Sequence, residues 1–173
     1  PHDDDHLPND ERVEQLLRDE MAPADRRAGA ALRSPRRRAE FEAGRVALRR
    51  AVSRAGHRAV DLTYAIGKSE HGAPVLSPNP GYALPCSISH TQNLAVALAL
   101  EGESAGECAV GVDVEPVRRP TALAITKRVL SPRERGALGA VLAKEDASVE
   151  LTLRFCIKEA LYKALHPLVG AHI

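Results

Sequence analysis

The apolar positions of this chain keep a helical spacing towards both ends and an alternating one in the middle. In "ERVEQLLRDEM", Val13, Leu16 and Leu17 recur three and four apart behind Asn9 or Asp10 as a cap, which predicts a first helix. Pro23 ends it or offsets the next piece. "SPRRRAEFEAGRVALRRAVSRAG" predicts a long helix, with Ser34 as N-cap and Pro35 at its first position. Its apolar stripe is Phe41, Val46 (or the stem of Arg45), Leu48 and Val52, and Gly56 closes it. Gly44 inside that helix costs about 1 kcal/mol relative to alanine, as expected where another backbone comes close.

"AVDLTYAI" alternates and is rich in β-formers, so it predicts a strand. The Gly- and Pro-dense "GKSEHGAPVLSPNPGYALP" predicts loop and turn. "CSISHTQNLAVALAL" reads as two strands joined at residues 90–93, "EGESAGE" as a turn, and "CAVGVDVEP" as a third strand, apolar enough to be central. Helix returns over Thr121–Leu130. Ser131, Pro132 and Glu134 spell a capping box for the next helix, and "ASVELTLRFCIKEALYKAL" is a long last helix stopped at Pro167. Strands close in sequence and mixed with helices predict an α+β fold, not a doubly wound parallel sheet. No repeat appears, only a loose echo: a long helix paired with strands in each half.

The chain has 173 residues, enough for one domain or two small halves sharing a core. Aromatic residues are 3% with no Trp, so a core must be built from Ala, Leu and Val. Net charge is +1, which says little about partners, but Arg33, Arg36, Arg37, Arg38, Arg45, Arg49 and Arg50 crowd one stretch. That cluster fits a localised anion such as a phosphate, or a solvated helix face. Scarce aromatics and the small net charge weigh against a nucleic-acid binder. The 3 cysteines, Cys86, Cys108 and Cys156, are widely spaced and read as reduced and mostly buried. No apolar run reaches the ~20 residues of a membrane span, and no leader-like segment opens the chain, so the expected setting is cytosolic. The acidic "HDDDH" near the start reads as a frayed terminus.

"GVDVEP" raises the chemical question. In a strand, Asp113 and Glu115 would share a face, and like charges placed together need a cation between them. Such a pair is either half of a structural ion-pair arrangement or a metal ligand set. In "SISHT", Ser87 and Ser89 share one face and His90 takes the other, at a strand end where it is a surface residue or a phosphate contact. In "FCIKEALYKAL", Glu159 and Lys163 lie four apart, either as a surface pair or on an edge facing a cleft. Phe155, Leu161 and Leu165 flank that edge. Together Asp113, Glu115 and Glu159 meet the oxygen demand of a hard divalent ion such as Mg²⁺. Lys68, Lys158, Lys163 and the Arg37/Arg38/Arg45 group suit a ligand with more than one phosphate. A phosphate-binding module without chemistry would not need three carboxylates, and a two-metal phosphohydrolase would need more ligands than these.

In that order and at those separations, "SISHT", "GVDVEP" and "FCIKEALYKAL" resemble the 4′-phosphopantetheinyl transferases. The closest likeness is to the two-lobed type serving siderophore, nonribosomal-peptide and polyketide carrier proteins. "RRRAEFEAGRVALRRAV" and "GKSEHGAPVLSP" resemble its two N-terminal motifs, so the likeness runs from Arg36 to about Gly170. The resemblance implies transfer of the 4′-phosphopantetheine arm of coenzyme A to a serine of an apo acyl or peptidyl carrier protein, as a holo-carrier-protein synthase does, releasing 3′,5′-adenosine bisphosphate. It implies a metal site of Asp113, Glu115 and Glu159 for Mg²⁺ or Mn²⁺. It implies a coenzyme A site of Arg37 or Arg38 with Arg45, Lys68, Ser89, His90, Lys158 and Lys163. In the catalytic set, Glu159 is the general base, Lys163 protonates or steadies the leaving phosphate, and Asp113 acts through the metal. The fold it implies is two pseudo-symmetric α+β lobes, 1–108 and 109–173, forming one functional unit; the second lobe is expected to need strands beyond Ile173. The carrier would dock near Thr121–Leu142, where Lys127, Arg128, Arg133 and Arg135 offer positive charge. The expected protein is a cytoplasmic monomer with no nucleic-acid or membrane partner.

Overall fold

A computed structural model describes residues 9–55, 65–76, 84–91, 93–100, 108–117, 126–142 and 147–169. The helices are α1 (Asn9–Glu20), α2 (Pro23–Ala30), α3 (Pro35–Arg54), α4 (Pro132–Leu142) and α5 (Ala147–Val169). The strands are β1 (Gly67–Lys68), β2 (Pro74–Val75), β3 (Cys86–His90) and β4 (Ala95–Ala99). Residues 126–129 form a further helical turn. The expected frayed start, the closure at Gly56, most of the "AVDLTYAI" strand, the "EGESAGE" turn and the helix over 121–125 lie outside the described residues.

Helix α3 starts where the sequence says it should. The Ser34 hydroxyl accepts a hydrogen bond from the Arg37 amide at 3.4 Å, and Pro35 follows it. Leu48 and Val52 on its inner face join Ile66, Leu76, Leu84 and Cys86 in the buried core, with Ile88, Ala97 and Ala99 packed against them. β3 and β4 pair antiparallel, Cys86 opposite Ala99 and His90 opposite Ala95, so the expected hairpin is there. Alternation turns Cys86 and Ile88 towards α3 and Ser87 and Ser89 to the opposite face. A Cβ on Gly44 would come within 3.1 Å of Ile88 Cγ2. The close neighbour foreseen at Gly44 is therefore a side chain, not a backbone.

The same helix carries an ionic hub. Arg45 and Arg49 are buried, and Asp25 of α2 is only 3% exposed. Arg49 Nη2 donates to Asp25 Oδ2 at 3.1 Å, Arg45 Nε lies 3.5 Å from Oδ1, and the Ile66 amide donates to both oxygens at 3.2 and 3.3 Å. Asp25 thus ties α2, α3 and the chain before β1 together.

Four expectations are corrected. α1 takes in Asn9 and Asp10 instead of being capped by them. Part of the Gly/Pro-rich loop is a small hairpin, with Gly67 opposite Val75 and Lys68 opposite Pro74, and Gly72 turns it at φ 80°. Residues 108–117 form no strand; the Val112 amide goes to a side-chain hydroxyl, so the backbone ladder that would define a strand is not made. Pro167 lies inside α5, which runs on to Val169; so close to the end, its missing N–H removes a single bond. The capping box of α4 is as expected. The Glu134 amide donates to Ser131 Oγ at 3.3 Å, and the Ser131 amide donates to Glu134 Oε2 at 2.7 Å. No helix among the described residues is long and apolar enough to cross a membrane.

Candidate active site

The segment at residues 111–113 is held between β3 and α5. On one side the Val112 amide donates to Ser87 Oγ at 3.1 Å and Ser89 Oγ donates to Asp113 Oδ1 at 2.8 Å. On the other, Lys163 Nζ of α5 donates to the Val112 carbonyl at 3.1 Å and to Asp113 Oδ1 at 2.6 Å. Gly111 makes this approach feasible, because a Cβ there would overlap the Ala160 carbonyl oxygen and lie 2.9 Å from the Ala164 nitrogen. The Asp113 side chain is 5% exposed, and its Oδ2 is buried without accepting a hydrogen bond.

Around this point stand two cavities. One, of ≈ 420 Å³, is lined by Arg37, Arg45, Lys68 and His90, together with Glu40 and Phe41. The other, of ≈ 350 Å³, is lined by Lys163, Tyr162 and His166 of α5 and by His71 and Ser87 from the hairpins. They share Gly72, Pro74 and Ile88 as walls. His71 meets His166 edge-on at 5.2 Å, so the β1–β2 turn touches α5. A third cavity, of ≈ 810 Å³ between α1, α3 and β4, carries none of the sequence-predicted site residues.

The structure separates the three adjacent arginines. Arg36 pairs with Glu40 and Arg38 with Glu42, both at 2.8 Å, while Arg37 lines the first cavity. Arg45 reaches that cavity too, but its guanidinium donates to the Ile66 carbonyl at 3.0 Å, faces Asp25 and stacks 4.3 Å over Phe41. Burial pulls its pKa below the ordinary value, against the opposing charge of Asp25. His90 is exposed, with Nδ1 4.0 Å from Glu40 Oε2.

Lys158 is engaged elsewhere. Its Nζ donates to Glu134 Oε2 and to the Val129 carbonyl, both at 2.7 Å, which clamps α5 to the start of α4. That bond, with those from Ser131, holds the Glu134 carboxyl down at about 2. Glu159 is half-buried on α5, one turn before Lys163, and Glu115 is exposed. Leu161 and Leu165, expected to border a cleft, are exposed.

Two family models match the chain. The 4′-phosphopantetheinyl transferase superfamily matches residues 109–173, and the 4′-phosphopantetheinyl transferase N-terminal domain matches residues 25–100. The chain belongs to the 4′-phosphopantetheinyl transferase superfamily. No curated protein matches it. The family supports phosphopantetheine transfer in general, with coenzyme A and a divalent metal.

For a phosphopantetheinyl transferase, the question is whether these residues suit a metal. Among the described residues, no three of His, Cys, Asp and Glu stand together as a metal-holding group, so Asp113, Glu115 and Glu159 are not gathered into one set. Asp113 Oδ2 nevertheless fits: it is a hard oxygen donor, buried and accepting nothing, the kind of atom a hard divalent ion takes. The sequence reading missed two residues here. Cys156 of α5 lies beside the carboxylates; burial first, then the Asp113 charge, pushes its thiol above the ordinary value. Asp25 is the other: its partners Arg45 and Arg49 lie 20 and more residues away, and no local spacing marks the pairing.

Proposed function

We propose that this chain transfers the 4′-phosphopantetheine arm of coenzyme A to a serine of an apo carrier protein of the siderophore, nonribosomal-peptide or polyketide type. The observation that carries this reading is the pair of adjoining cavities, one bordered by Arg37, Lys68 and His90 and the other by Lys163. A polyphosphate ligand suits the first, and its reacting end would then lie towards Lys163 and Asp113.

Asp113, Glu115 and Glu159 would hold Mg²⁺ or Mn²⁺, which when bound neutralises pyrophosphate oxygens. Glu159 takes the proton of the carrier serine as its oxygen bonds to the pantetheine-bearing phosphorus. The bond from that phosphorus to the bridging oxygen breaks, and 3′,5′-adenosine bisphosphate leaves with Lys163 steadying its phosphate. Lys158, tied to Glu134 in the free chain, would contact phosphate only after leaving that partner. Residues 1–108 and 109–173 are the proposed lobes of one functional unit, a division supported by the gap between the two family segments. The protein acts as a cytoplasmic monomer, with no nucleic-acid or membrane partner.

The test is an intact-mass assay of an apo carrier protein incubated with the chain, coenzyme A and Mg²⁺. A gain of one phosphopantetheine is expected. Nucleotide hydrolysis without that gain would make the chain a phosphohydrolase, and binding without either product a nucleotide-binding module. Glu159→Ala should abolish transfer while weakening coenzyme A binding less; near-normal turnover would remove Glu159 from the base role.

A further inference from the structure

We propose that β3 governs the candidate metal ligand through its two buried hydroxyls. Ser89 is a positioning residue that fixes the Asp113 carboxylate so that Oδ2 stays free, and Ser87 pins the backbone that carries it. This rests on the transfer reading above.

Ser87 and Ser89 are 3% and 7% exposed, on the face of β3 turned away from the apolar core. Buried hydroxyls need partners, and both are satisfied by one short segment: Ser87 by the Val112 amide, Ser89 by Asp113 Oδ1. Charge neutralisation alone does not account for Ser89, because Lys163 already meets Oδ1 at 2.6 Å. A second donor on the same oxygen does something else. The terminal torsion of an aspartate is broad and roughly two-fold, so a single donor leaves the carboxylate free to exchange its oxygens. With Ser89 and Lys163 both on Oδ1, that exchange would break two bonds, and Oδ2 is kept as the bare atom. Ser89 is in the lining of neither adjoining cavity, whereas His90 beside it lines one. Hydroxyls of this kind orient metal ligands, and losing one typically weakens metal binding by about 10- to 100-fold.

The test compares the parent chain with Ser89→Ala, Ser89→Thr and Ser87→Ala. Mn²⁺ affinity is read by electron paramagnetic resonance, and KM for coenzyme A is measured at saturating Mn²⁺. Ser89→Ala is expected to weaken Mn²⁺ binding by about 10-fold or more, and Ser89→Thr, which keeps the hydroxyl, to restore it. Ser87→Ala should produce a smaller loss of the same kind. If Ser89→Ala does not fold, Ser89→Cys keeps the volume, weakens the donor and reads the same difference. Parent-like Mn²⁺ affinity in the Ser89 variants overturns the proposal, as does a raised KM with unaltered Mn²⁺ affinity, which would make Ser89 a coenzyme A contact. A parent chain that binds Mn²⁺ but transfers nothing removes the transfer reading and leaves the positioning role standing. A parent that binds no Mn²⁺ removes both.

Discussion

Asp25 and Asp113 are both buried aspartates, and their surroundings differ. Asp25 has both oxygens occupied, by Arg49, by the Ile66 amide and by the charge of Arg45. Asp113 has two donors crowded on Oδ1 and none on Oδ2. A buried carboxylate that is fully partnered is a structural tie, and one partnered on a single side is half of an unfinished arrangement. The arginines follow the same division. Arg45 and Arg49, part of the run that suggested a phosphate by charge, are anchored on Asp25, even though Arg45 also borders the cavity that Arg37 lines.

The sharpest way to break this comparison is to remove each charge. Asp25→Ala leaves two guanidinium groups buried, and we expect a loss of about 3–5 kcal/mol in urea denaturation. Asp113→Asn should shift stability by no more than about 1 kcal/mol, because asparagine keeps an oxygen for Ser89 and Lys163 and the ammonium of Lys163 is partly solvated, yet abolish transfer in the mass assay. A loss in Asp113→Asn as large as in Asp25→Ala would make the two aspartates equivalent. Next in size is Gly111→Ala, where the new methyl meets the backbone of α5. The expected cost is about 1–3 kcal/mol, and hydrogen exchange should show faster exchange at the Val112 amide with α3 unaffected.

Gly44→Ala should have a smaller effect. The gain in helix propensity, about 1 kcal/mol, is opposed by the Ile88 contact on a strand already fixed from its other face. Thermal denaturation should show a change below about 1 kcal/mol; a large loss would mean that Ile88 is held more rigidly than its neighbours require. The smallest effect concerns Glu134, whose carboxyl lies at about 2 against an ordinary 4.5 through its bonds to Lys158 and Ser131. A depressed carboxyl contributes stability that is fully present above 4.5 and lost as pH falls through about 2. The parent should exceed Glu134→Gln in thermal midpoint at neutral pH, with the difference shrinking between those two values and gone below the lower one.

Much of the local structure was legible beforehand. Ser34–Pro35 and the Ser131–Glu134 box start helices where the sequence placed them, because a cap is a bond between residues three apart and needs no partner from elsewhere. The β3–β4 hairpin was legible for the same reason of short range. The strand expected at "CAVGVDVEP" was not found, because alternation marks a chain able to pair and does not supply the neighbour.

The sequence by itself determined the family motifs, the helix starts, the hairpin and the residue types on offer: carboxylates in "GVDVEP", lysines on the last helix and a run of arginines. Only the tertiary structure decided which of these meet. It assigned Arg45 and Arg49 to Asp25, Lys158 to Glu134, and Ser89 with Lys163 to Asp113. The reason is physical: a charge is written into one residue, but its partner is set by distances of a few ångströms between segments far apart in the chain, and those exist only once the core has formed.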